Sequence, residues 1–263
     1  NCNCLIGKNK KFNLIGKKNK FKNLLKKKQI LKHQIIDPKN LYDLILNLKG
    51  NNIMIDARTC SIFNESLIAR KFNINSKVDP CYLLKAKKNS MEIKNMQQSH
   101  IEDGVALTKF LFWIKNNKNS NLTELDAEDK LEKFRKKSKN YLYPSFNTIA
   151  GSGPNGAIIH YKASEKTNRK IKNKDIFLCD SGGQYKYGTT DVTRTMCFSK
   201  PSKKIKKIFT LVLKGHIAVA TSDLNKTNNG SKIDIRARKF LKKDGFDFKH
   251  GTGHGVGFFS NVH

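Results

Sequence analysis

Residues 180–195, DSGGQYKYGTTDVTRT, place two carboxylates around a glycine-rich turn. Asp180 follows the apolar strand predicted at 176–179, where a buried carboxylate without a partner would be costly. Asp191 comes eleven residues later, after glycines that permit a sharp reversal of the chain. If the segment is a hairpin, both carboxylates reach one cavity from adjacent strands, as acid–base partners or as ligands of a hard divalent cation. Spacing alone leaves open that Asp180 caps a turn and that Asp191 lies in a surface turn.

Residues 250–257, HGTGHGVG, carry two histidines four positions apart. On a helix this spacing would resemble a zinc pair. Every second residue from Gly251 to Gly257 is glycine, however, and each glycine costs a helix about 1 kcal/mol relative to alanine. We therefore expect strand and loop over 246–259, with tightly packed backbone and alternate side chains on one side. Together with His263, these histidines near a carboxylate pair favour a reactive site.

Residues 151–156, GSGPNG, match the pattern GxGxxG of dinucleotide-binding loops. In such a loop the motif opens a helix whose N-terminus faces the pyrophosphate. Here Pro154 lies inside the motif, and the following residues 157–161, AIIHY, are predicted to form a strand. We therefore expect a tight loop leading into a strand that carries His160, with no dinucleotide site.

The net charge of +31 at pH 7 would ordinarily suggest nucleic acid or an anionic membrane as a partner. Only seven of the 52 basic residues are Arg, the side chain that makes bidentate phosphate and guanine contacts. Lys is spread along the whole chain together with much Asn and Ile. We interpret this as compositional drift and do not expect a nucleic-acid partner; a selected polyanion-binding surface is the alternative.

Two further features of the composition bear on the compartment. The six cysteines show no CxxC pair and no regular spacing, which favours reduced thiols in the cytoplasm. No apolar run approaches the ~18–20 residues of a membrane span, so no membrane partner is expected.

The pattern of elements divides the chain in two. Strands and helices alternate over residues 1–83, which predicts the end of an α/β domain, with the acid-free, Lys-rich segment 1–36 as its solvated surface or, alternatively, as a basic arm. Residues 84–263 are predicted to be α+β with an internal repeat of two helices followed by strands. The helices are expected at 91–114, from Thr123 onward with Asp126 completing its cap, at 203–223 and at 232–243.

Four motifs in the second part resemble the catalytic domain of cytosolic-type Xaa-Pro aminopeptidases, metallopeptidases of family M24. They are GPNGAIIHY (153–161), DSGGQYKYGTTDVTRT (180–195), VLKGHIAVA (212–220) and HGTGHGVGFFSNVH (250–263). The resemblance runs from about Ser76 to the end and is thin before it. It implies an incomplete pita-bread α+β catalytic domain over 84–263, preceded by part of an α/β creatinase-like domain over 1–83.

The same resemblance implies a metal centre and a reaction. Asp180 would bind one Mn²⁺, Asp191 would bridge two and His254 would bind the other, with Zn²⁺ or Co²⁺ as alternatives. A water bridging the two ions would attack the first peptide bond of peptides whose second residue is proline, releasing the N-terminal residue. The full-length protein would be a homodimer.

Three further histidines receive roles from the resemblance. His263 would stabilise the oxyanion that develops at the scissile carbonyl, and His250 would line the proline pocket. His160 would assist substrate positioning or proton transfer.

The chain also departs from the family pattern. The family completes its metal site with two glutamates downstream of the motif NVHEGP, whereas this sequence has no Glu after Glu165 and ends at the His of that motif. We therefore expect a C-terminally truncated, inactive piece with three of five metal ligands. A prolidase that cleaves Xaa-Pro dipeptides and a non-catalytic pita-bread binding protein are the alternatives, and the retained Asp180, Asp191 and His254 argue against the second.

Overall fold

The chain divides between Leu84 and Lys85 into two units. In this computed structural model the described residues are 2–7, 11–117, 120–227, 229–260 and 262. His263, one of the predicted catalytic residues, lies outside them.

The first unit begins with a small mixed sheet. Strands β1 (Asn3–Ile6) and β2 (Phe12–Ile15) are antiparallel, and β3 (Ile35–Ile36) pairs parallel to β2. Helix α1 (Lys22–Lys26) lies between β2 and β3, flanked by 3₁₀ turns at Lys18–Phe21 and Lys32–Gln34. The predicted strands and helix of the Lys-rich segment are thus present.

A parallel βαβ arrangement follows in the same unit. A 3₁₀ turn (Pro38–Asn40) leads into α2 (Leu41–Asn47), and α3 (Ile62–Ala69) connects the parallel strands β4 (Asn52–Ile55) and β5 (Asn73–Ser76). Apolar residues from these elements form one core: Ile45, Ile55, Leu67, Ile68 and Phe72. A short helix, α4 (Pro80–Ala86), spans the boundary of the two units.

The second unit starts with two long helices. Helix α5 (Ser90–Asn116) begins at a capping box formed by Asn89 and Glu92. Helix α6 (Glu124–Arg135) begins at Thr123, whose hydroxyl accepts from the Asp126 N–H while the Asp126 carboxylate accepts from the Thr123 N–H. Both predicted helices, and the predicted cap at Thr123, are confirmed.

Two three-stranded sheets follow the helices. The first sheet has the order β11-β8-β7 and consists of β7 (Ile149–Ser152), β8 (Ile176–Ser181) and β11 (Val192–Cys197). The second sheet has the order β10-β9-β6 and consists of β6 (Tyr141–Pro144), β9 (Gly183–Tyr185) and β10 (Gly188–Thr189). Along β8 alternate residues are buried, so Phe177 and Cys179 join the helices in a core whereas Asp180 lies on the other face. That core contains Leu107, Phe110, Ile114, Ala127, Leu131, Ala150, Ile171, Phe177, Cys179 and Phe198.

Helices α7 (Lys203–Ala220) and α8 (Gly230–Lys243) form the second predicted helix pair. The described residues from 244 to 260 contain neither helix nor strand, so the strand expected within 246–259 is wrong. Two backbone carbonyls of this segment, those of Phe248 and His250, accept hydrogen bonds from the Arg238 side chain. These carbonyls therefore bind a side chain of α8 and not a neighbouring strand.

The strand expected over 157–161 is wrong as well. Gly153, at φ +58°, turns the chain directly after β7 into a 3₁₀ helix, Gly153–Ala157, and residues 158–160 form a bend and turn. The Asn155 amide then donates to both carboxylate oxygens of buried Glu124, at 3.1 and 3.0 Å. This contact with α6 holds the compact turn.

Two further features concern the helices and the cysteines. Among the described residues, no helix combines the length and apolarity needed to span a lipid bilayer. The six cysteines are all free thiols.

Candidate metal centre

Asp180 lies in β8, and Asp191 directly precedes β11, the neighbouring strand of the same sheet. Strands β8 and β11 are antiparallel, with Thr193 opposite Asp180 and Val192 opposite Ser181. Asp191 directly precedes β11 and stands two positions before Thr193, so the alternation of side chains assigns it to the same face as Asp180. The intervening β9 and β10 pair in the other sheet, and the shared cavity of the two carboxylates stays a prediction.

The Asp180 carboxylate is oriented by the facing strand. The Thr193 hydroxyl donates to Asp180 Oδ1 at 2.8 Å. On the opposite face of β8, Arg135 Nη2 donates to the buried Ser181 hydroxyl at 3.0 Å. The end of β8 is therefore held from both faces at the point where it carries the carboxylate.

Asp191 and His254, two of the predicted metal ligands, are in contact. His254 Nε2 lies 3.4 Å from Asp191 Oδ2, and the side chains are 40% and 18% exposed. His254 Nδ1 lies 3.0 Å from the Gly255 carbonyl, an oxygen that can only accept, so Nδ1 is the donor of this hydrogen bond. The other ring nitrogen, Nε2, faces the carboxylate oxygen of Asp191.

Gly182 allows the chain to return to this site at backbone contact. A Cβ atom at Gly182 would lie 1.9 Å from the Thr190 carbonyl oxygen and 2.2 Å from the Ser145 hydroxyl. The residue preceding Asp191 therefore packs directly on the residue following β8. Further along, the Ser260 N–H donates to the Thr189 hydroxyl at 3.3 Å, which ties the histidine-bearing loop to the same segment.

His160 and His250 lie on exposed segments. His160 occupies the turn after the 3₁₀ helix with φ +55°, a left-handed conformation that is uncommon for residues other than glycine. The His250 ring stacks on Phe248, with centroids 4.7 Å apart and planes inclined at 29°. For His263 no position is described.

The structure brings the predicted ligands together only in part. Within the described ranges, no group of three or more His, Cys, Asp and Glu side chains is placed to hold a metal ion jointly. The donor set nevertheless fits a divalent cation, since two carboxylates share a face and one of them meets an imidazole nitrogen.

A buried carboxylate holds the turn that carries His160. Glu124, fully buried at the start of α6, accepts from the Ser152 N–H at 2.7 Å and from the Tyr161 hydroxyl at 2.7 Å. The Arg169 N–H also donates to it, at 3.0 Å. Burial, reinforced by the hydrogen bond to Glu124, raises the pKa of Tyr161, so its hydroxyl remains a donor.

The residues that support the candidate ligands are not marked as such by any motif in the sequence. Thr193 orients Asp180, Arg135 fixes Ser181, and Arg238 binds the loop before His254. One signal was available for the arginines: in a chain where only seven of 52 basic residues are Arg, each Arg is a candidate for a contact that Lys cannot make.

Comparison with known proteins gives the family context of this geometry. Residues 94–263 match metallopeptidase family M24. Over 182 residues the chain is 50% identical to proteins named probable Xaa-Pro aminopeptidase P, one from Paracoccidioides brasiliensis (strain Pb03) and one from Sordaria macrospora. The aligned part is 68% of this chain and 30% of each relative, so the chain spans less than a third of their length.

Solved structures resemble the whole chain. The X-prolyl aminopeptidase of Caenorhabditis elegans, described as a cytosolic enzyme with a di-nuclear active site, matches with a TM-score of 0.81 and 32% identity over 96% of this chain and 43% of its own. A Xaa-Pro dipeptidase from Bacillus anthracis matches with a TM-score of 0.79 at 23% identity, over 100% of this chain and 73% of its own. The prolidase of Pyrococcus furiosus matches with a TM-score of 0.75 at 22% identity, over 95% and 74%. These likenesses confirm the predicted pita-bread α+β fold, and the last two bear on the fold alone.

Proposed function

The chain belongs to metallopeptidase family M24, and on that premise we propose that the protein is a cytoplasmic, metal-dependent aminopeptidase. It would remove the N-terminal residue from peptides whose second residue is proline, with two Mn²⁺ ions that would supply an activated water. The 50% identity to proteins named probable Xaa-Pro aminopeptidase P supports this substrate class. The likeness to a cytosolic X-prolyl aminopeptidase with a di-nuclear site supports the compartment and the number of ions.

One observation carries the metal assignment. His254 Nε2 lies 3.4 Å from Asp191 Oδ2, and His254 Nδ1 lies 3.0 Å from the Gly255 carbonyl. An imidazole nitrogen and a carboxylate oxygen that meet in this way are both donor atoms that a divalent cation accepts. Asp180, on the same face of the sheet, provides a second carboxylate for a hard cation such as Mn²⁺.

The residues of the chain divide the work at this site. Asp180, Asp191 and His254 would hold the ions, which when bound supply Lewis-acid stabilisation and an activated water. Thr193 keeps Asp180 in one orientation by its hydrogen bond. A ligand that is oriented before substrate arrives lowers the reorganisation that the reaction requires.

Proline recognition must rely on shape. A proline after the cleaved bond makes that bond a tertiary amide without an N–H group to donate. The His250 ring, stacked on Phe248, offers a flat wall for a pyrrolidine ring. His160 would position the substrate or transfer a proton, and His263 would stabilise the oxyanion.

The 263-residue chain itself is proposed to bind metal weakly and to lack turnover. The family uses five ligands, two of them glutamates that follow the last histidine, and this chain has no Glu after Glu165. Missing ligands lower the affinity for the ions and leave their coordination geometry less fixed.

Hydrolysis of a Xaa-Pro-Xaa tripeptide with Mn²⁺ tests the proposal. The assay compares the 263-residue chain with a version extended beyond His263 by a segment that supplies the two glutamates. We expect turnover only in the extended version, loss of turnover in its Asp191→Asn variant, and normal turnover in Asp244→Asn, which removes an exposed carboxylate paired with Lys207. A folded, Mn²⁺-loaded extended version without tripeptide hydrolysis would contradict the proposal.

The same protein distinguishes the alternatives. Cleavage of Xaa-Pro dipeptides without tripeptides would identify a prolidase. Salt-sensitive DNA binding with no response to Mn²⁺ would identify a binding protein that uses the +31 charge. Sedimentation of the extended version is expected to give a homodimer.

A further inference from the structure

Arg238 on α8 reaches across to the loop that carries His250 and His254. Its side chain is 14% exposed. Nε donates to both carboxylate oxygens of Asp234, one helical turn earlier, at 2.9 and 2.8 Å. Nη1 donates to Asp247 Oδ1 at 2.8 Å, at the start of the loop.

The remaining donors of Arg238 bind loop backbone. Nη1 also donates to the Phe248 carbonyl, and Nη2 donates to the His250 carbonyl at 2.8 Å. Each of the three guanidinium nitrogens is therefore engaged, in directions that the single ammonium of a lysine cannot cover.

An aromatic stack adds to these hydrogen bonds. The Arg238 guanidinium lies 3.9 Å from the centroid of the Phe248 ring, and the other neighbour of that ring is His250 at 4.7 Å. A guanidinium over an aromatic face is held by cation–π attraction. The Thr252 hydroxyl donates to Asp234 Oδ1, so that carboxylate ties a further loop residue to the same turn of α8.

At neutral pH the charges of this cluster favour the contacts between α8 and the loop. The hydrogen bond from Arg238 lowers the pKa of Asp247, and the hydrogen bond from Thr252, followed by that from Arg238, lowers the pKa of Asp234. Both carboxylates are therefore ionised when Arg238 binds them. Lys242, one turn further along α8, lies 3.7 Å from Asp247 Oδ2 and adds a second positive charge.

These contacts hold a segment that has no regular secondary structure. The described residues from 244 to 260 form neither helix nor strand, yet residues 247, 248, 250 and 252 are all tied to one turn of α8. His254 follows Thr252 by two residues and meets Asp191. We propose that Arg238 is a positioning residue, which fixes the loop 247–252. It thereby holds His254 in contact with Asp191 and keeps the His250 ring stacked on Phe248. As far as it concerns metal binding, this inference rests on the proposed function.

The test compares Arg238→Met and Arg238→Lys with a matched control, Arg236→Met, in the 263-residue chain. Arg236 lies two residues earlier on α8 and donates to the Ala218 carbonyl of α7 instead of the loop. Three quantities are measured by NMR and EPR: amide hydrogen exchange of residues 247–255, the nuclear Overhauser effect between the His254 ring and Asp191, and the affinity for Mn²⁺.

We expect Arg238→Met to speed loop exchange at least tenfold, to abolish the Overhauser effect and to weaken Mn²⁺ binding by roughly tenfold, as loss of a ligand-orienting contact does. Arg238→Lys retains the positive charge but not the several N–H donors of the guanidinium. We therefore expect it to restore loop exchange, the Overhauser effect and Mn²⁺ affinity only in part. Arg236→Met behaves as the unmodified chain. Amides of α5 and α6 exchange normally in all variants, which shows that the fold is intact.

An unchanged Overhauser effect and unchanged loop exchange in Arg238→Met would overturn the inference. Should Arg238→Met fail to fold, Thr252→Val provides the second variant: it is expected to speed exchange at 252–255 only, and normal exchange there would also overturn the inference. Failure of the unmodified chain to bind any Mn²⁺ would count against the proposed function, whereas the Overhauser effect and loop exchange would still decide the role of Arg238.

Discussion

Two arginines carry contacts that the many lysines of this chain do not. Arg135 is fully buried and makes a forked pair with Asp103, at 2.7 and 3.1 Å, while Arg238 binds the loop before His254. The scarcity of Arg makes each Arg a candidate for a contact that Lys cannot make, but it does not identify the partner. Asp103 lies 32 residues from Arg135, and such pairings are set by the packing of helices and not by local sequence.

The buried pair gives a prediction about stability. Arg135→Met leaves the Asp103 carboxylate buried without its partner, which should lower the free energy of unfolding by about 3–5 kcal/mol. The double variant Arg135→Met with Asp103→Leu removes both charges and should recover much of this loss. Urea unfolding measures the difference, with Arg70→Met, at an exposed site on the other unit, as control. A double variant no more stable than the single one would contradict this account of the pair.

Glu128 gives a prediction about pH. Burial, together with the neighbouring charge of Glu124, raises the pKa of Glu128 to about 7, and its Oε1 has no hydrogen-bond partner among the described residues. Because the folded state holds this proton more tightly than the unfolded state, whose pKa is about 4.3, stability should fall as pH rises from about 4.5 to about 7.

The Glu128→Gln variant isolates this effect. It should be more stable than the unmodified chain at pH 8 and similar to it at pH 4, as measured by urea unfolding at each pH. Glu165→Gln, at an exposed position, is the matched control and should change neither value. Equal stabilities of Glu128→Gln and the unmodified chain at pH 8 would refute the raised pKa.

At the scale of elements, local signals predicted helices better than strands. The capping pattern at Thr123 and Asp126 located the start of α6, because both groups lie within one turn. The strand expected at 157–161 fails because Glu124, more than thirty residues earlier, binds the turn through Asn155. The pairing of β9 with β6 likewise joins segments that are about forty residues apart.

The packing of β8 against the segment before Asp191 gives a prediction at this scale. A methyl group at Gly182 would collide with the Thr190 carbonyl, so Gly182→Ala must separate these segments, at a cost of about 1–3 kcal/mol or more. The displacement should also weaken Mn²⁺ binding at Asp191. Gly104→Ala is the control, since the space around Gly104 in α5 is open and alanine favours a helix. Wild-type stability of Gly182→Ala in thermal unfolding would contradict the packing argument.

At the scale of the whole molecule, the basic charge is borne chiefly by lysine. No Lys belongs to the buried residues of the described structure, whereas Arg135 does. This distribution agrees with compositional drift among the surface residues. None of the candidate ligands is a lysine, so the drift does not bear on the candidate site. Glycine spacing and chemical type mark Asp180, Asp191 and the histidines of residues 250–254 as candidates in the sequence, and the resemblance to the family implies that His254 is the ligand among those histidines. The contact of His254 with Asp191 joins segments more than sixty residues apart and needed the fold.

Anomalous diffraction from crystals of the 263-residue chain soaked in Mn²⁺ shows directly where the ion binds. We expect an anomalous peak bound by both His254 Nε2 and Asp191 Oδ2, on the face of β8 that carries Asp180, and its loss in Asp191→Asn but not in Asp244→Asn. A peak elsewhere, or none at saturating Mn²⁺ with His254 and Asp191 still in contact, would contradict this expectation.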